Sequence, residues 1–227
     1  MDRLKAWYQE EKEKIQGITG LKRKLEYIWQ YYYLWIVGVI GVICFLSFTF
    51  YQYNHAITDY WFYITFANTN AEIGNGSELW QGYIDYTGFD TKEKNVEFNN
   101  VAYFDYRKNE TGNTYFESYI TYTDAGTLDA VTMESESLEL LGQSGRLLDL
   151  NRDECKKIKE KYEDKFIYAL PFDVEYSGEP VPIGIDISDS ILMEKYNIYP
   201  DSCAIGIGAN TKNIDAVIAF LEYIYGG

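Results

Sequence analysis

Residues 31–50 read YYYLWIVGVIGVICFLSFTF, and this stretch decides how the rest of the chain is organised. It carries no charge, and the uncharged run extends from residue 27 to residue 53. At about 1.5 Å per residue, twenty helical residues span about 30 Å, which is the thickness of the hydrocarbon core of a bilayer. The stretch therefore predicts one membrane-spanning helix, which we assign to residues 27–54.

Two other interpretations fit the run less well. A core helix of this length normally carries a polar stripe along one side. A signal sequence has an apolar region of only about 7–15 residues with small residues after it, and about thirty residues precede this run. Cys44 does not mark a lipoprotein, because Val42 and Ile43 stand where small residues are required. We therefore expect an uncleaved span.

The flanks of the run indicate its orientation. A basic cluster at residues 22–24 precedes it, and the next basic residue is Lys92. Because basic residues are enriched in cytoplasmic loops, residues 1–26 are predicted to be cytoplasmic and residues 55–227 to be an extracellular domain of a cell-membrane protein. Aromatic and basic side chains favour the headgroup region. The predicted membrane-interface residues are Trp7, Lys22, Arg23, Lys24, Trp29, Trp35 and Tyr51.

The cytoplasmic tail, residues 1–26, is predicted to be amphipathic. Leu4, Trp7, Tyr8 and Ile15 recur at near-helical spacing among charged residues. Such a helix can lie on the inner leaflet with Trp7 at the interface, or it can dock on another protein. The sequence leaves both arrangements open.

Charge is distributed unequally along the chain. Residues 1–26 contain seven Lys or Arg and five Asp or Glu, which leaves 13 basic and 30 acidic residues in the rest. An acidic domain repels the phosphate backbone of nucleic acid, so no nucleic-acid partner is expected. The acidic excess most simply keeps the domain soluble, and the alternative is that it attracts a basic partner.

Residues that carry chemistry are sparse. His55 is the only histidine and no Cys-x-x-Cys motif exists, so no metal or other cofactor is expected. A disulfide between Cys155 and Cys203 is possible outside the cell, and the sequence leaves this pairing open. No nucleophile elbow or phosphate loop is present, and carboxylates such as Asp186 and Asp189 are expected to be surface or capping residues. The chain is therefore predicted not to be an enzyme.

Beyond residue 54 the pattern becomes that of an α/β domain. Short apolar strands alternate with helices, which is typical of a mostly parallel sheet with helices on both faces. The predicted fold class is α/β, with a single mostly parallel sheet covered by helices after the transmembrane helix. Strands are predicted at residues 60–67, 96–106, 128–133, 166–172, 181–187 and 204–209, and helices at residues 79–86, 115–122, 135–143, 151–166, 192–196 and 213–225.

Three ordered motifs lie in the second half of the chain. They read GTLDAV at residues 126–131 with QSGRLLDL at 143–150, YSGEPVPI at 176–183 and GIGANTKN at 206–213. Together they resemble the bacterial extracellular solute-binding proteins of the two-lobed type 2 class. That family inserts its second lobe after the position that corresponds to residue 187, and here only about fourteen residues lie between residues 187 and 202. The resemblance therefore implies one lobe of a type 2 periplasmic-binding-protein-like fold.

The missing lobe changes the function that the resemblance implies. Solute-binding proteins hold their ligand between two lobes, and hinge closure buries it. A single lobe leaves a small ligand largely exposed, and no ligand-contacting residue is carried over from the family. The helix starts near Ser135 and Asn213 offer N–H groups to an anion, although ordinary capping explains them more simply.

The sequence favours a single-pass membrane-anchored, non-catalytic extracellular domain that binds a protein partner. Its role would be that of an accessory or sensor component of a cell-envelope or transporter assembly. The alternative is a small-molecule solute-binding receptor linked to ABC-type transport. The expected partners are the lipid bilayer and a membrane or envelope protein that the sequence does not identify, and a small-molecule ligand is left open.

Overall fold

The computed structural model describes residues 2–54, 57–105, 112–170 and 178–226. The chain divides into two compact units, Met1–Ala56 and Ile57–Gly227. The first unit consists of helix α1 (Asp2–Gly17) and helix α2 (Leu21–Asn54). Between them Gly20 has a φ of 95°, which glycine adopts without a steric penalty and which lets the chain reverse.

Helix α2 contains the predicted span. It is 34 residues long, or about 51 Å, and begins before the predicted boundary at residue 27. Its most apolar window has a mean hydropathy of 2.2 and is not buried by protein. Among the described residues it is the one helix that is long and apolar enough to cross a membrane.

Six strands form one sheet in the second unit, in the order β2-β1-β3-β6-β5-β4. Strand β1 is parallel to β2 and β3, whereas the β3–β6, β6–β5 and β5–β4 pairs are antiparallel. The strands are β1 (Tyr60–Phe66), β2 (Asn95–Asn99), β3 (Ala130–Met133), β4 (Phe166–Ala169), β5 (Val181–Asp186) and β6 (Ala204–Ile207). The sheet is therefore mixed, and the prediction of a mostly parallel sheet is wrong.

The connections between the last three strands explain the difference. A parallel crossover needs a dozen or more residues and usually a helix that crosses the sheet. Residues 170–180, which join β4 to β5, are too few for a crossover. Residues 187–203, which join β5 to β6, are numerous enough, but they contain only a helix of four residues, which is too short to cross the sheet. Both connections therefore return the chain in the antiparallel direction.

Helices cover both faces of the sheet, as predicted. Alternation along β1 places Phe62, Ile64 and Phe66 in the larger core, whereas Tyr63 faces the opposite side. Helices α3, α6 and α8 contribute to the larger core, and α4 and α5 to the smaller one. The helices are α3 (Glu78–Thr87), α4 (Thr114–Asp124), α5 (Ser135–Gly142), α6 (Lys156–Tyr162), α7 (Ile191–Glu194) and α8 (Ile214–Ile224).

Several predicted elements are shorter in the structure. The second strand ends at Asn99, because the Asn99 side chain accepts a hydrogen bond from the Val101 N–H at 3.1 Å in a local turn that competes with the ladder. The predicted helix at residues 151–166 consists of α6 flanked by two 3-10 turns. Residue 106 of the second predicted strand and residues 171–172 of the fourth lie outside the described residues.

Candidate functional site: the helical hairpin and the surfaces of the α/β unit

Helix α1 packs along the first part of α2 through a cluster around Glu11. The Glu11 carboxylate accepts hydrogen bonds from the hydroxyls of Tyr27, at 3.2 Å, and Tyr32, and the Lys14 ammonium donates to it at 2.9 Å. Only 16% of the Glu11 side chain is exposed. The hydrogen bonds from Tyr32 and Lys14 lower the pKa of Glu11, so it remains ionised. The structure shows α1 packed on this chain's own helix α2, and whether α1 also lies on the inner leaflet or docks on another protein stays a prediction.

The predicted membrane-interface residues all lie on this hairpin. Trp7 contacts the ring of Tyr32 edge-on, with ring centroids 6.4 Å apart, and Trp29 lies 6.5 Å from Tyr33. Lys22, Arg23 and Lys24 occupy the first turn of α2. The side chains of Trp7, Trp29, Trp35 and Tyr51 are more than half exposed. Their depth in a bilayer stays a prediction.

In the α/β unit, Asp129 is a fully buried carboxylate that joins three segments. It accepts hydrogen bonds from the Tyr63 N–H at 2.9 Å and the Thr211 hydroxyl at 2.5 Å. The Asn213 amide donates to both of its oxygens at 3.3 Å. Burial raises the pKa of Asp129, and these hydrogen bonds partly offset the effect. Asp129 lies within a motif that carries the family resemblance, but no sequence signal identified it as buried.

The carboxyl ends of β1 and β3 are where ligands bind in open α/β sheets, because the strand order reverses there. In this chain the Tyr199 side chain occupies that place. Its single hydroxyl proton is shared between the carbonyls of Ala67, at 2.9 Å, and Thr132, at 2.8 Å. Beside it, the Ser135 N–H donates to the Ser202 hydroxyl at 3.1 Å. The crevice is thus filled by the protein's own side chains. Neither the helix start at Ser135 nor that at Asn213 has a side-chain capping hydrogen bond, so the expectation of ordinary capping is wrong. The Asn213 N–H instead donates to the Thr211 hydroxyl at 3.1 Å.

The cysteines and the two aspartates considered as candidate reactive residues are buried or paired within the protein. Cys155 and Cys203 are buried and free, and burial raises the pKa of Cys155 to about 11 and that of Cys203 further. Such thiols are protonated and unreactive at neutral pH. Asp189 pairs with Lys165 at 2.6 Å, and Asp186 accepts the Ser188 N–H at 2.9 Å, as expected of surface and capping residues. The described residues contain no group of His, Cys, Asp or Glu that could hold a metal ion.

Exposed aromatic side chains concentrate along α4 and the segment after β2. We define the α4 tyrosine surface as Val101, Tyr103, Tyr115 and Tyr122, of which 40–60% is exposed. Tyr115 and Tyr122 are two helical turns apart and so lie on one side of α4. The Asn113 amide, which caps α4, donates to the Tyr103 carbonyl at 3.0 Å and ties the two segments together.

Strand β2, next to this surface, is an edge strand, and other segments of this chain hydrogen-bond to its outer backbone groups. The indole of Trp80 donates to the Val96 carbonyl at 2.8 Å, and the Phe98 N–H donates to the Asn75 side chain at 2.7 Å. Groups on an edge strand that are already hydrogen-bonded cannot pair with another strand. The side chains beside this edge are therefore a better contact surface than its backbone.

Comparison with known proteins identifies no relative of this chain. No protein-family model matches the chain, and neither a curated protein nor a solved structure matches it. The resemblance to solute-binding proteins therefore stays a prediction, and the function must be argued from the surfaces described above.

Proposed function

We propose that the chain is a single-pass membrane protein whose α/β unit is an extracellular, non-catalytic domain that binds a protein partner. Its role would be that of an accessory or sensor component of a cell-envelope or transporter assembly. The apolar helix α2 supports the anchor, and the basic first turn of α2 supports the orientation. The α4 tyrosine surface is the observation that carries partner binding.

The hairpin refines the position of the span within α2. Helix α1 is highly charged and contacts α2 as far along as Tyr32, so this part of α2 belongs outside the hydrocarbon. The span then lies within residues 33–53, which can cover about 31 Å. Glu11 and its tyrosine partners would lie at the level of the cytoplasmic headgroups.

Tyrosine suits a protein interface because its ring is apolar and its hydroxyl can hydrogen-bond, and few rotatable bonds are immobilised on binding. Each of the four side chains of the α4 tyrosine surface is 40–60% exposed, although this protein buries other tyrosines completely, such as Tyr83. Glu97 lies on β2, the strand that leads into Val101 and Tyr103, and forms no ion pair with a described cation. This charge favours a partner that presents Lys or Arg around an apolar centre.

A solute receptor, the alternative function, is supported less well. The place where such a receptor would hold its ligand is filled by Tyr199 and its hydrogen bonds to Ala67 and Thr132. Opening it would expose buried carbonyl groups, which costs free energy unless the ligand replaces every hydrogen bond.

Photo-crosslinking combined with copurification tests the proposal. A photoreactive amino acid at position 115 or 122 of the full chain should cross-link one stoichiometric protein in intact cells. Tyr115→Ser with Tyr122→Ser should lower recovery of that protein from mild detergent by about tenfold or more. The matched control is Tyr168→Ser with Leu170→Ser, because these side chains are equally exposed, at 49% and 47%, but lie elsewhere on the unit.

Two outcomes of these experiments would contradict the proposal. Equal loss in both double variants would mean that the surface has no special role. A folded, membrane-inserted protein that yields no stoichiometric cross-link at either position would contradict partner binding at this surface.

A further inference from the structure

Most of the positive charges on the α/β unit are neutralised. Eleven of its Lys and Arg residues are described, and eight of them lie within 4.0 Å of a carboxylate. Among the described residues, Lys92, Lys94 and Lys212 form no ion pair. In a region with 30 acidic residues, these three lysines are therefore the described cations that keep an unneutralised charge.

Two of the three unpaired lysines line the same cleft. Lys94 and Lys212 border a space of about 340 Å³ at the edge of the sheet where β1 and β3 begin and β6 ends. Thr58 and Thr127 add hydroxyl donors to its walls. Asp59 is the one carboxylate that lines it, so the two ammonium groups leave a positive balance.

The ammonium group of Lys94 is held in place without being neutralised. It lies 4.7 Å from the centre of the Trp61 ring, in a cation–π contact. Trp61 in turn stacks on Phe89, with the ring planes 3° apart, and its indole donates to the Asp90 carbonyl at 3.1 Å. The cation therefore sits on a fixed platform and keeps its hydrogen-bond donors for a ligand.

A second, larger cleft adjoins the first. It has a volume of about 650 Å³ and shares Lys212 and Asn213 with the smaller cleft. Trp61, Tyr86 and Phe89 form its aromatic wall. A ligand with an anionic group between the lysines could extend an organic group along these rings.

We propose that the smaller cleft binds the phosphate group of a phosphate ester, held by Lys94 and Lys212, with the organic group of the ester in the larger cleft. Lysine binds phosphate as a compact point charge, whereas bidentate recognition of carboxylates favours arginine. The two threonine hydroxyls add donors to the shell around the phosphate oxygens. The ester is either a lipid headgroup or a water-soluble compound. This site is separate from the α4 tyrosine surface, so the two proposals can fail independently.

The test uses the full chain in neutral maltoside micelles and a phosphate-free buffer of low ionic strength. Glycerol phosphate should bind saturably, by calorimetry and by phosphorus NMR line broadening, and more tightly than inorganic phosphate. Lys94→Gln with Lys212→Gln should weaken this binding by about tenfold or more. The matched control, Lys156→Gln with Lys159→Gln, removes the same charge from α6 and should change the affinity less than about twofold.

Thermal unfolding of both double variants shows whether they are folded. If glycerol phosphate gives no saturable response, or if the cleft variant and the control bind it equally, the proposal is wrong. Dihexanoyl phosphatidylglycerol distinguishes the sources of the ester. Much tighter binding than glycerol phosphate identifies a lipid headgroup, and equal binding identifies a soluble ester.

Discussion

At the scale of single residues, Asp129 is the polar side chain described above that links the most segments of the fold. It is fully buried, and its hydrogen bonds join β1 through Tyr63 to the segment that leads into α8 through Thr211 and Asn213. A buried carboxylate is tolerated only when its oxygens are fully hydrogen-bonded. Asp129 therefore fixes the edge of the sheet that borders the two clefts.

Removing this carboxylate should destabilise the protein. Asp129→Ala leaves the Tyr63 N–H and the Thr211 hydroxyl without their acceptor, so we expect the free energy of unfolding to fall by about 2 to 4 kcal/mol. Denaturant unfolding of the full chain in detergent, followed by circular dichroism, measures it. Asp153→Ala, at an exposed position, should change stability by less than about 0.5 kcal/mol. An equal effect of both substitutions would contradict the assigned role.

The same residue should make stability depend on pH. Burial raises the pKa of Asp129 in the folded protein above its ordinary value of 3.8, so the folded protein binds this proton more tightly than the unfolded chain does. The resulting contribution is present below pH 3.8 and is lost as the pH rises through the folded-state pKa. Relative to Asp129→Asn, which does not titrate, the wild type should lose stability as the pH rises above about 4. A difference between the two proteins that stays constant with pH would exclude this titration.

At the scale of elements, the sequence predicts where strands and helices lie better than how they pair. Burial patterns are local, so all six strands and the helices between them are foreseeable from apolar runs and caps. Strand direction depends on whether a connection can cross the sheet, which the pattern within each strand does not encode. The turn made by Asn99 likewise shortens a strand whose apolar pattern continues.

The contact between α1 and α2 is a second property of elements that periodicity does not reveal. Glu11 belongs to a charged run that predicts a solvated helix face, yet it is the acceptor for Tyr27 and Tyr32. Because the pKa of Glu11 is lowered, this contact should persist above its ordinary pKa of 4.5 and weaken as the pH falls below it.

Glu11→Ala should therefore loosen α1 from α2. We expect amide hydrogen exchange along α1 to become severalfold faster, because two tyrosine hydroxyls and Lys14 lose their common acceptor. Glu10→Ala is the matched control, since Glu10 also pairs with Lys14, at 3.0 Å, but is 67% exposed and contacts no tyrosine hydroxyl among the described residues. Unchanged exchange in Glu11→Ala would show that the hairpin does not depend on this cluster.

Helix α8 should be essential for the core of the α/β unit. Leu221 is fully buried in the larger core, so Leu221→Ala should lower the free energy of unfolding by about 2 to 5 kcal/mol. Ile218 lies almost one turn away and is only partly buried, so Ile218→Ala should cost clearly less. Deleting residues 213–227 should unfold the unit, because it also removes the Asn213 amide and the Ala216 carbonyl that accepts from the Tyr83 hydroxyl. Denaturant titration in detergent tests all three, and a deletion variant that unfolds cooperatively like the wild type would contradict this role.

At the scale of the whole molecule, the sequence predicts the long apolar helix and the α/β class but not the surface proposed to bind a partner. Twenty-three tyrosines occur in the chain, and composition does not distinguish buried Tyr83 from exposed Tyr122. That distinction depends on which helix covers which strand. The unpaired lysines beside the clefts are likewise visible only once the carboxylate partners of the other lysines are known.

The proposed orientation of the chain in a membrane is the property on which both proposed surfaces depend. A cysteine introduced at Lys156, whose side chain is 79% exposed, should react with a membrane-impermeant maleimide on intact cells, whereas one at Glu10 should react only after lysis. The native protein provides the background measurement, because Cys155 and Cys203 are buried and Cys44 lies in the predicted span. The expectation follows from the basic first turn of α2, since translocating Lys22, Arg23 and Lys24 is disfavoured. Labelling at position 10 without lysis would reverse the topology and place the α4 tyrosine surface and both clefts in the cytoplasm.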